Sequence, residues 1–373
     1  MKKGWIYKKF ADCIDKIPKQ QQIKSKDYKS SGMYPIVSQE KELISGYWDD
    51  DSYLFKHKKP VVVFGDHTKE IKYIDFDFVV GADGTQILSP KGDIDSKFFY
   101  YSLKATHIRT LGYARHFKLL KEKTFGIPSL SEQQRIVARL DAAFAHIDEL
   151  KANAEKQLNE ARALFQKCLA KAMEPKEGWT TKALKDIVDD NCPISYGIVQ
   201  QGDHVEGGVP VVRPVDLNTK YVRREGLKCT EDTISNAYKR TILRGDEILL
   251  SVRGTTGVLA LASSELSDCN VNRGVVPLYF KENIDKDFLY YEMLSPDLQS
   301  VFAEKTTGST LKQINIKSLR LIELNYPSLQ EQQRIVARLD SLSENIKELE
   351  EVNRKIISEC DALKQAMLRK VFE

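Results

Sequence analysis

The segment Pro-Ser-Leu-Ser-Glu-Gln-Gln-Arg-Ile-Val-Ala-Arg-Leu-Asp at Pro128 to Asp141 returns at Pro327 to Asp340, with Ser131 replaced by Gln330 as the single difference. A copy this faithful marks a duplicated structural unit. It divides the chain into halves, each a globular block followed by a long helix. The expected boundaries are 1–128 for the first block, 129–174 for its helix, 175–327 for the second block and 328–373 for the second helix. A chain of 373 residues has room for two to three domains.

Both duplicated segments open helices. Ser131 with Gln134 has the spacing of a capping box, and in the second copy Ser328 with Glu331 takes that role. Neither helix meets Pro or Gly before Met173 or Glu373. Forty-odd residues at 1.5 Å each span roughly 60 Å, so each helix needs a partner along its length. Periodicity supplies one. In the second helix Ile335, Leu342, Leu349, Ile356 and Leu363 recur every seven residues, with Leu339, Ile346, Asn353, Cys360 and Met367 four later. That is a heptad seam with one polar member, Asn353. In the first helix Ile136, Ala143, Leu150 and Leu164 alternate with Leu140, Ile147, Ala154, Ala161 and Cys168. The expected arrangement is an intramolecular antiparallel coiled coil with pseudo-twofold symmetry. The short Pro175 to Gly178 linker and the high effective concentration of an intrachain partner favour it over pairing with a second chain.

The blocks themselves are rich in β-branched and aromatic residues between turn signals, giving an α+β protein with two β-rich domains. Strands are expected over Pro60 to Phe64, Ile71 to Ile74, Phe78 to Val80 and Gln86 to Leu88, then an aromatic helix over Lys97 to Ala105. The second block repeats the grammar with strands over Asp246 to Val252, Val258 to Ala262 and Val275 to Phe280, and a helix over Phe288 to Leu294. Each block opens on Gly-Trp, at Gly4-Trp5 and Gly178-Trp179.

Several chemistries are excluded. No apolar run nears the ~20 residues of a membrane helix. The N-terminus lacks the apolar core of a signal peptide, so a cytoplasmic location is expected. The six cysteines include no Cys-x-x-Cys pair, and the six histidines have no metal-ligand spacing. There is no Walker phosphate loop and no methyltransferase Gly-rich loop with an Asn/Asp-Pro-Pro-aromatic motif. Asp66, Glu70 and Lys72 resemble a nuclease set, but their spacing is too tight for two strands and the second half has no counterpart. The chain is read as non-catalytic, with no cofactor or metal of its own.

What remains is recognition. Residues 1–128 carry 23 Lys and Arg against 16 Asp and Glu, a polyanion binder's balance, whereas residues 175–327 carry 19 against 21 and must concentrate their arginines on one face. Candidate DNA contacts in the first block are Lys19, Gln20, Gln22, Lys24 and Lys26 in a polar loop, His67, Thr68 and Lys69 at a strand turn, and Arg115, His116 and Lys118 near its end. The second block offers Gln200, Gln201, Arg213, Arg253, Thr255, Thr256, Arg273, Thr307, Ser309, Thr310, Lys312 and Gln313. Arg suits guanine and Gln suits adenine in the major groove, while Lys and Thr suit phosphates. Gly254 to Gly257 also has the form of a backbone phosphate cradle or of a plain turn.

With the repeat, the paired helices and these blocks in view, the chain resembles the specificity subunit of type I restriction–modification systems. Pro128 to Asp141 and Pro327 to Asp340 match the family's helix openings, and Ile248 to Gly257 with Gly308 to Ile314 look like its recognition blocks. The first block departs from the pattern, with Gly112 to Phe117 standing where the second has Gly308 to Gln313. The resemblance implies two target-recognition domains, each reading half of a split DNA site. It implies helices that act as a ruler and dock two methyltransferase subunits at the duplicated Glu-Gln-Gln-Arg surface. It further implies S-adenosylmethionine, ATP and magnesium on partner subunits, and restriction subunits that join the complex. Two other readings stay open: a scaffold whose blocks bind protein, and an enzyme with an unrecognised active site.

Overall fold

The structure, a computed structural model, describes residues 2–110, 112, 114–281 and 283–373. It divides into two compact units, Met1–Lys156 with Asn353–Glu373, and Gln157–Val352.

In the first unit the Val61–Gly65 strand is buried throughout and lies between Thr85–Pro90 and Ile71–Ile74, antiparallel to both. A run of Val-Val-Val-Phe has no polar face, so it suits only a strand covered on both sides. A second sheet is built around Phe78–Gly81, which pairs parallel with Gln22–Ile23 and Tyr34–Val37 and antiparallel with Leu54–Phe55. The sequence periodicity missed these parallel pairings, because such short strands carry no alternation to read. The aromatic helix Ser96–Ala105 starts where Asp95 accepts hydrogen bonds from the N–H groups of Lys97 and Phe98 at 2.9 Å each. It buries Phe98, Phe99 and Leu103 in one cluster with Ile136, Leu140 and Leu368 of the long helices.

The second unit repeats this plan. Ile248–Ser251 lies between Leu259–Leu261 and Val275–Leu278, again antiparallel to both. Asp285 caps the aromatic helix Lys286–Leu294. The Gly-Trp openings also match. Each leads into a strand, Ile6–Lys9 or Thr180–Ala183, that pairs antiparallel with the unit's last strand, Thr124–Ile127 or Glu323–Tyr326. Trp5 packs on Phe98 at 6.0 Å and Trp179 on Phe288 at 5.8 Å.

The two long helices, Leu130–Met173 and Leu329–Phe372, are 44 residues each. Their caps differ from the sequence expectation. The N–H of Gln133 reaches the carbonyl of Ser129, so Ser129 and not Ser131 stands at the helix start, as Ser328 does in the second copy. The helices pair antiparallel. In the first unit Lys151 meets Asp361 at 2.8 Å and Lys364 meets Asp148. In the second unit Leu169 and Met173 share a core with Ile335 and Leu339, and Arg162 meets Glu350 at 2.7 Å. The exposed ion pairs contribute little; the buried seam carries the association.

The seam is narrower than the heptads suggested. Ile136, Leu140, Ile147, Ala154 and Ala161 are buried, as are Ile335, Leu339, Asn353 and Cys360, while Leu342, Ile346 and Ile356 are half-buried. Leu150, Leu349 and Leu363, expected in the seam, are 58%, 39% and 51% exposed, and Leu164 is 52% exposed. A single partner helix covers one row of side chains, and its neighbours in the apolar stripe stay in solvent. Leu169, Met173 and Leu368 are buried instead.

A duplicated polar clasp joins each helix to its own block. Gln133 and Gln332, read from the sequence as helix surface, are 0% and 1% exposed. Each accepts the N–H of the aromatic-helix cap, Asp95 or Asp285, at 2.8 Å. Each donates to the proline carbonyl that opens its own segment, Pro128 at 2.9 Å or Pro327 at 2.8 Å. About two helical turns further on, Asp141 holds the Tyr101 hydroxyl and Lys97, and Asp340 holds the Tyr291 hydroxyl and Lys220. The duplicated segment is therefore in part an internal fastener; of its Glu-Gln-Gln-Arg stretch, Gln134 and Gln333 and the Glu132–Arg135 and Glu331–Arg334 pairs, 2.7 Å each, remain on the surface.

Candidate nucleic-acid interface

In the second unit, two segments far apart in sequence converge. The loop after Ile248–Ser251 and the segment Thr306 to Ile314 form one edge. The Gly254 N–H donates to the Lys312 carbonyl and the Ile314 N–H to the Val252 carbonyl, both at 2.9 Å, with Arg253 opposite Gln313. Thr256 and Thr306 share a hydrogen bond of 2.9 Å, and the Thr307 hydroxyl reaches the Gln313 carbonyl at 3.4 Å. Gly308 makes the return possible. Its φ is +97°, and a Cβ there would stand 2.3 Å from the Leu311 carbonyl oxygen. Thr255, Ser309, Thr310, Lys312 and Gln313 are exposed on this edge, and Arg253 is partly so.

Arg273 adjoins the edge through the backbone, since the Val252 N–H donates to the Gly274 carbonyl and the Arg273 N–H to the Ile198 carbonyl, at 2.8 Å each. Gln200 is exposed, two residues on from Ile198. Tyr196, which no pattern singled out, is 42% exposed and its hydroxyl braces the edge between the Ile314 carbonyl and the Ile316 N–H. Two candidates are turned away. Arg213 is spent on Asp216 through paired bonds of 3.0 and 2.9 Å, an ion pair three residues apart that the sequence reading overlooked. Gln201 points its amide at the Lys228 carbonyl at 3.3 Å.

In the first unit the turn after Val61–Gly65 is the corresponding place. Asp66 is 3% exposed. Its N–H donates to the Gly84 carbonyl, and its carbonyl accepts the His116 N–H, at 2.8 Å each. Its carboxylate accepts the Phe117 N–H at 2.7 Å. His116 is 1% exposed and its Nδ1 faces the same Asp66 carbonyl at 3.0 Å, so Nδ1 carries the proton. His116, a candidate DNA contact, is thus held inside the fold by Asp66 with its side chain shielded from solvent. Arg115 is the exposed member, 69% open, its Nε 3.9 Å from the Asp66 carboxylate.

Lys19, Gln20, Gln22 and Arg115 line one polar cleft of about 420 Å³ with Asp66, Asp83 and Gln86. Asp83 and Gln86 escaped the sequence reading, since nothing in strand periodicity marks a cleft wall. Thr68 is tied to the Gln39 carbonyl at 2.6 Å, and Lys69 to the Thr110 hydroxyl at 2.6 Å. The His67 N–H donates to Gln39 Oε1 at 3.1 Å. Lys24, Lys26 and Lys118 are exposed outside the cleft. Lys72, of the nuclease-like set, is 6% exposed and donates to the Ser38 and Glu42 carbonyls; burial pushes its pKa down. That disposes of a catalytic Lys72. Of the segment Gly112 to Phe117, Tyr113 lies outside the described residues.

Among the described residues no group of three or more His, Cys, Asp or Glu is placed to hold a metal ion, and no helix is long and apolar enough to cross a membrane. Exposed amides, guanidinium groups and hydroxyls on ordered backbone edges are suited to hydrogen-bonding a polyanion and its bases. The family model of the type I restriction modification DNA specificity domain matches the chain twice, over residues 2–160 and 176–357. The chain belongs to that family. The two matches follow the duplication, one to each block with part of its helix.

Curated specificity subunits are similar over half or more of the chain. The EcoBI subunit of Escherichia coli is 25% identical over 309 residues, covering 74% of this chain, and the chain spans 65% of that subunit's length. The EcoR124I/EcoR124II subunit of Escherichia coli is 24% identical over 335 residues, covering 85% of this chain and 81% of the subunit. Among solved structures, a chain from a study of complex assembly and conformational transition in the type I restriction–modification system has a TM-score of 0.71 at 19% identity, covering 99% of this chain and 97% of its own. The HsdS subunit from Thermoanaerobacter tengcongensis has a TM-score of 0.52 at 18% identity, covering 100% and 97%. The specificity subunits share this α+β fold, with two β-rich blocks and two long helices.

Proposed function

We propose that this specificity subunit reads a bipartite duplex DNA site, each recognition block (1–128 and 175–327) holding one half, and that the helices set the spacing and dock two methyltransferase subunits. S-adenosylmethionine, ATP and magnesium then act on partner subunits, with restriction subunits joining where cleavage occurs. The carrying observation is that the same clamp of hydrogen bonds recurs in both units while the exposed side chains on it differ. A common frame with divergent tips suits two readers of unlike sequence. A protein-binding scaffold would not need Arg and Gln gathered at the corresponding place of both units.

The test replaces residues 1–128 with the corresponding block of another family member and maps adenine methylation by the assembled complex. One half-site is expected to change and the other to persist. Change in both, or in neither, refutes the division of labour.

The exposed leucines support the docking role. Leu150 and Leu363 flank the Lys151–Asp361 pair, yet 58% and 51% of each stays in water. Converting both to Ser should cost the chain's own stability roughly 1–3 kcal/mol, because each side chain is about half buried and Ser is the poorer helix former, which leaves the chain folded. It should abolish copurification of the methyltransferase subunits. Retained copurification would place the dock elsewhere.

A further inference from the structure

We propose that Arg115 and Gln313 are the matched base-reading positions of the two units, Arg115 holding a guanine and Gln313 an adenine in the major groove. The inference rests on the DNA-reading role proposed above and assigns residues within it.

The match comes from backbone hydrogen bonds and not from sequence, where the two segments look unrelated. Asp66 and Val252 follow the central strands Val61–Gly65 and Ile248–Ser251. Each donates its N–H to a glycine carbonyl, Gly84 or Gly274. Each accepts at its own carbonyl an N–H from the late segment of its block, His116 at 2.8 Å or Ile314 at 2.9 Å. The residue before that donor is Arg115 in one unit and Gln313 in the other. The second unit then spends one extra residue, Asn315, before its short helix Ile316–Arg320, whereas Phe117–Lys121 follows His116 directly. That insertion hides the correspondence from a sequence comparison.

Both side chains stand in solvent. Arg115 is 69% exposed and reaches only the edge of the Asp66 carboxylate, at 3.9 Å. Gln313 is exposed beside Arg253. Gln313 stands on backbone paired with both Thr307 and Arg253, and Arg115 directly precedes the bonded His116 N–H, so each side chain springs from a fixed backbone, which lowers the ordering cost of discrimination. Arg offers two parallel donors to guanine O6 and N7; Gln offers one donor and one acceptor to adenine N7 and N6.

The experiment exchanges the two residue types. Arg115→Gln and Gln313→Arg are each made in the full chain, purified with the methyltransferase subunits of the same source, and challenged with a randomised duplex DNA library. Arg115→Gln is expected to switch one position of one half-site from G·C to A·T by roughly 10- to 100-fold, leaving the other half-site intact. Gln313→Arg is expected to do the reverse in the other half. The untouched half-site shows in each case that the complex is assembled. An unchanged sequence, a half-site lost outright, or an even loss of binding across all sequences (the mark of a phosphate contact) overturns the assignment. Failure of the unaltered complex to enrich any sequence instead removes the DNA-reading role, and this assignment with it.

Discussion

Gln332→Leu is expected to destabilise the second unit by roughly 3 kcal/mol, with Gln133→Leu costing the first unit roughly 1 kcal/mol more. Each glutamine does two opposite jobs with one amide, accepting and donating. Its oxygen takes the N–H of Asp95 or Asp285, and its nitrogen serves the Pro128 or Pro327 carbonyl. Gln133 also donates to the Asp93 carbonyl at 3.0 Å. Leucine fills the space but leaves these buried groups without partners, at about 1–3 kcal/mol for each. Gln→Glu keeps the shape and replaces a donor by a charged acceptor, so it should be worse at neutral pH and partly recover in acid. Amide exchange at Asp95 and Asp285 reads the two clasps separately. Losses below roughly 1 kcal/mol would mean that water or side-chain shifts replace the amide, and the clasp would then be incidental.

This clasp shows where reading the sequence stops. The duplication was legible at once, and with it the two blocks, the paired helices and the family. The reason for the duplication was not. Glu132-Gln133-Gln134-Arg135 is polar throughout, and polarity pointed to a partner-facing surface. Its second residue is in fact buried between helix and block, because a polar side chain that satisfies both backbone termini is welcome where an apolar one is not. The heptads erred the other way. They identified an apolar stripe but not how much of it one helix can cover, so Leu150, Leu349 and Leu363 came out exposed.

The turns that build the candidate edge were legible for a different reason. Arg253 to Gly257 and Thr306 to Gln313 announce turns, and turns at strand ends meet along one edge. Which side chains remain available there depends on local pairing. Arg213 is lost to Asp216, and His116 is consumed by Asp66. Periodicity reports faces of strands and helices; it does not report the partner three residues away. The correspondence of Arg115 with Gln313 lay still deeper, in hydrogen bonds that no residue type encodes.

Glu292 is expected to make the stability of the second unit depend on pH. This carboxyl is 1% exposed on the aromatic helix Lys286–Leu294. One oxygen accepts the Asn325 N–H at 3.2 Å; the other has no hydrogen-bond partner among the described residues. Burial pushes its pKa up to about 7, against the ordinary 4.5, with the Asn325 N–H opposing the shift. Above pH 4.5 the unfolded chain releases this proton freely, while the folded chain keeps it until about pH 7. The unfolded state then binds fewer protons, so stability falls as pH rises through that window and levels off above it. The fall amounts to about 3 kcal/mol at 1.36 kcal/mol per pKa unit. Glu292→Gln keeps an acceptor for Asn325 and removes the titration. Its second unit should lose about 3 kcal/mol less than the parent between pH 4.5 and pH 8, read from urea unfolding midpoints at the two pH values. All other titrating groups are common to both proteins and cancel in the difference. Equal pH slopes would show that Glu292 ionises in the folded unit with a pKa near that of the unfolded chain, and that water or a rearranged donor reaches its second oxygen.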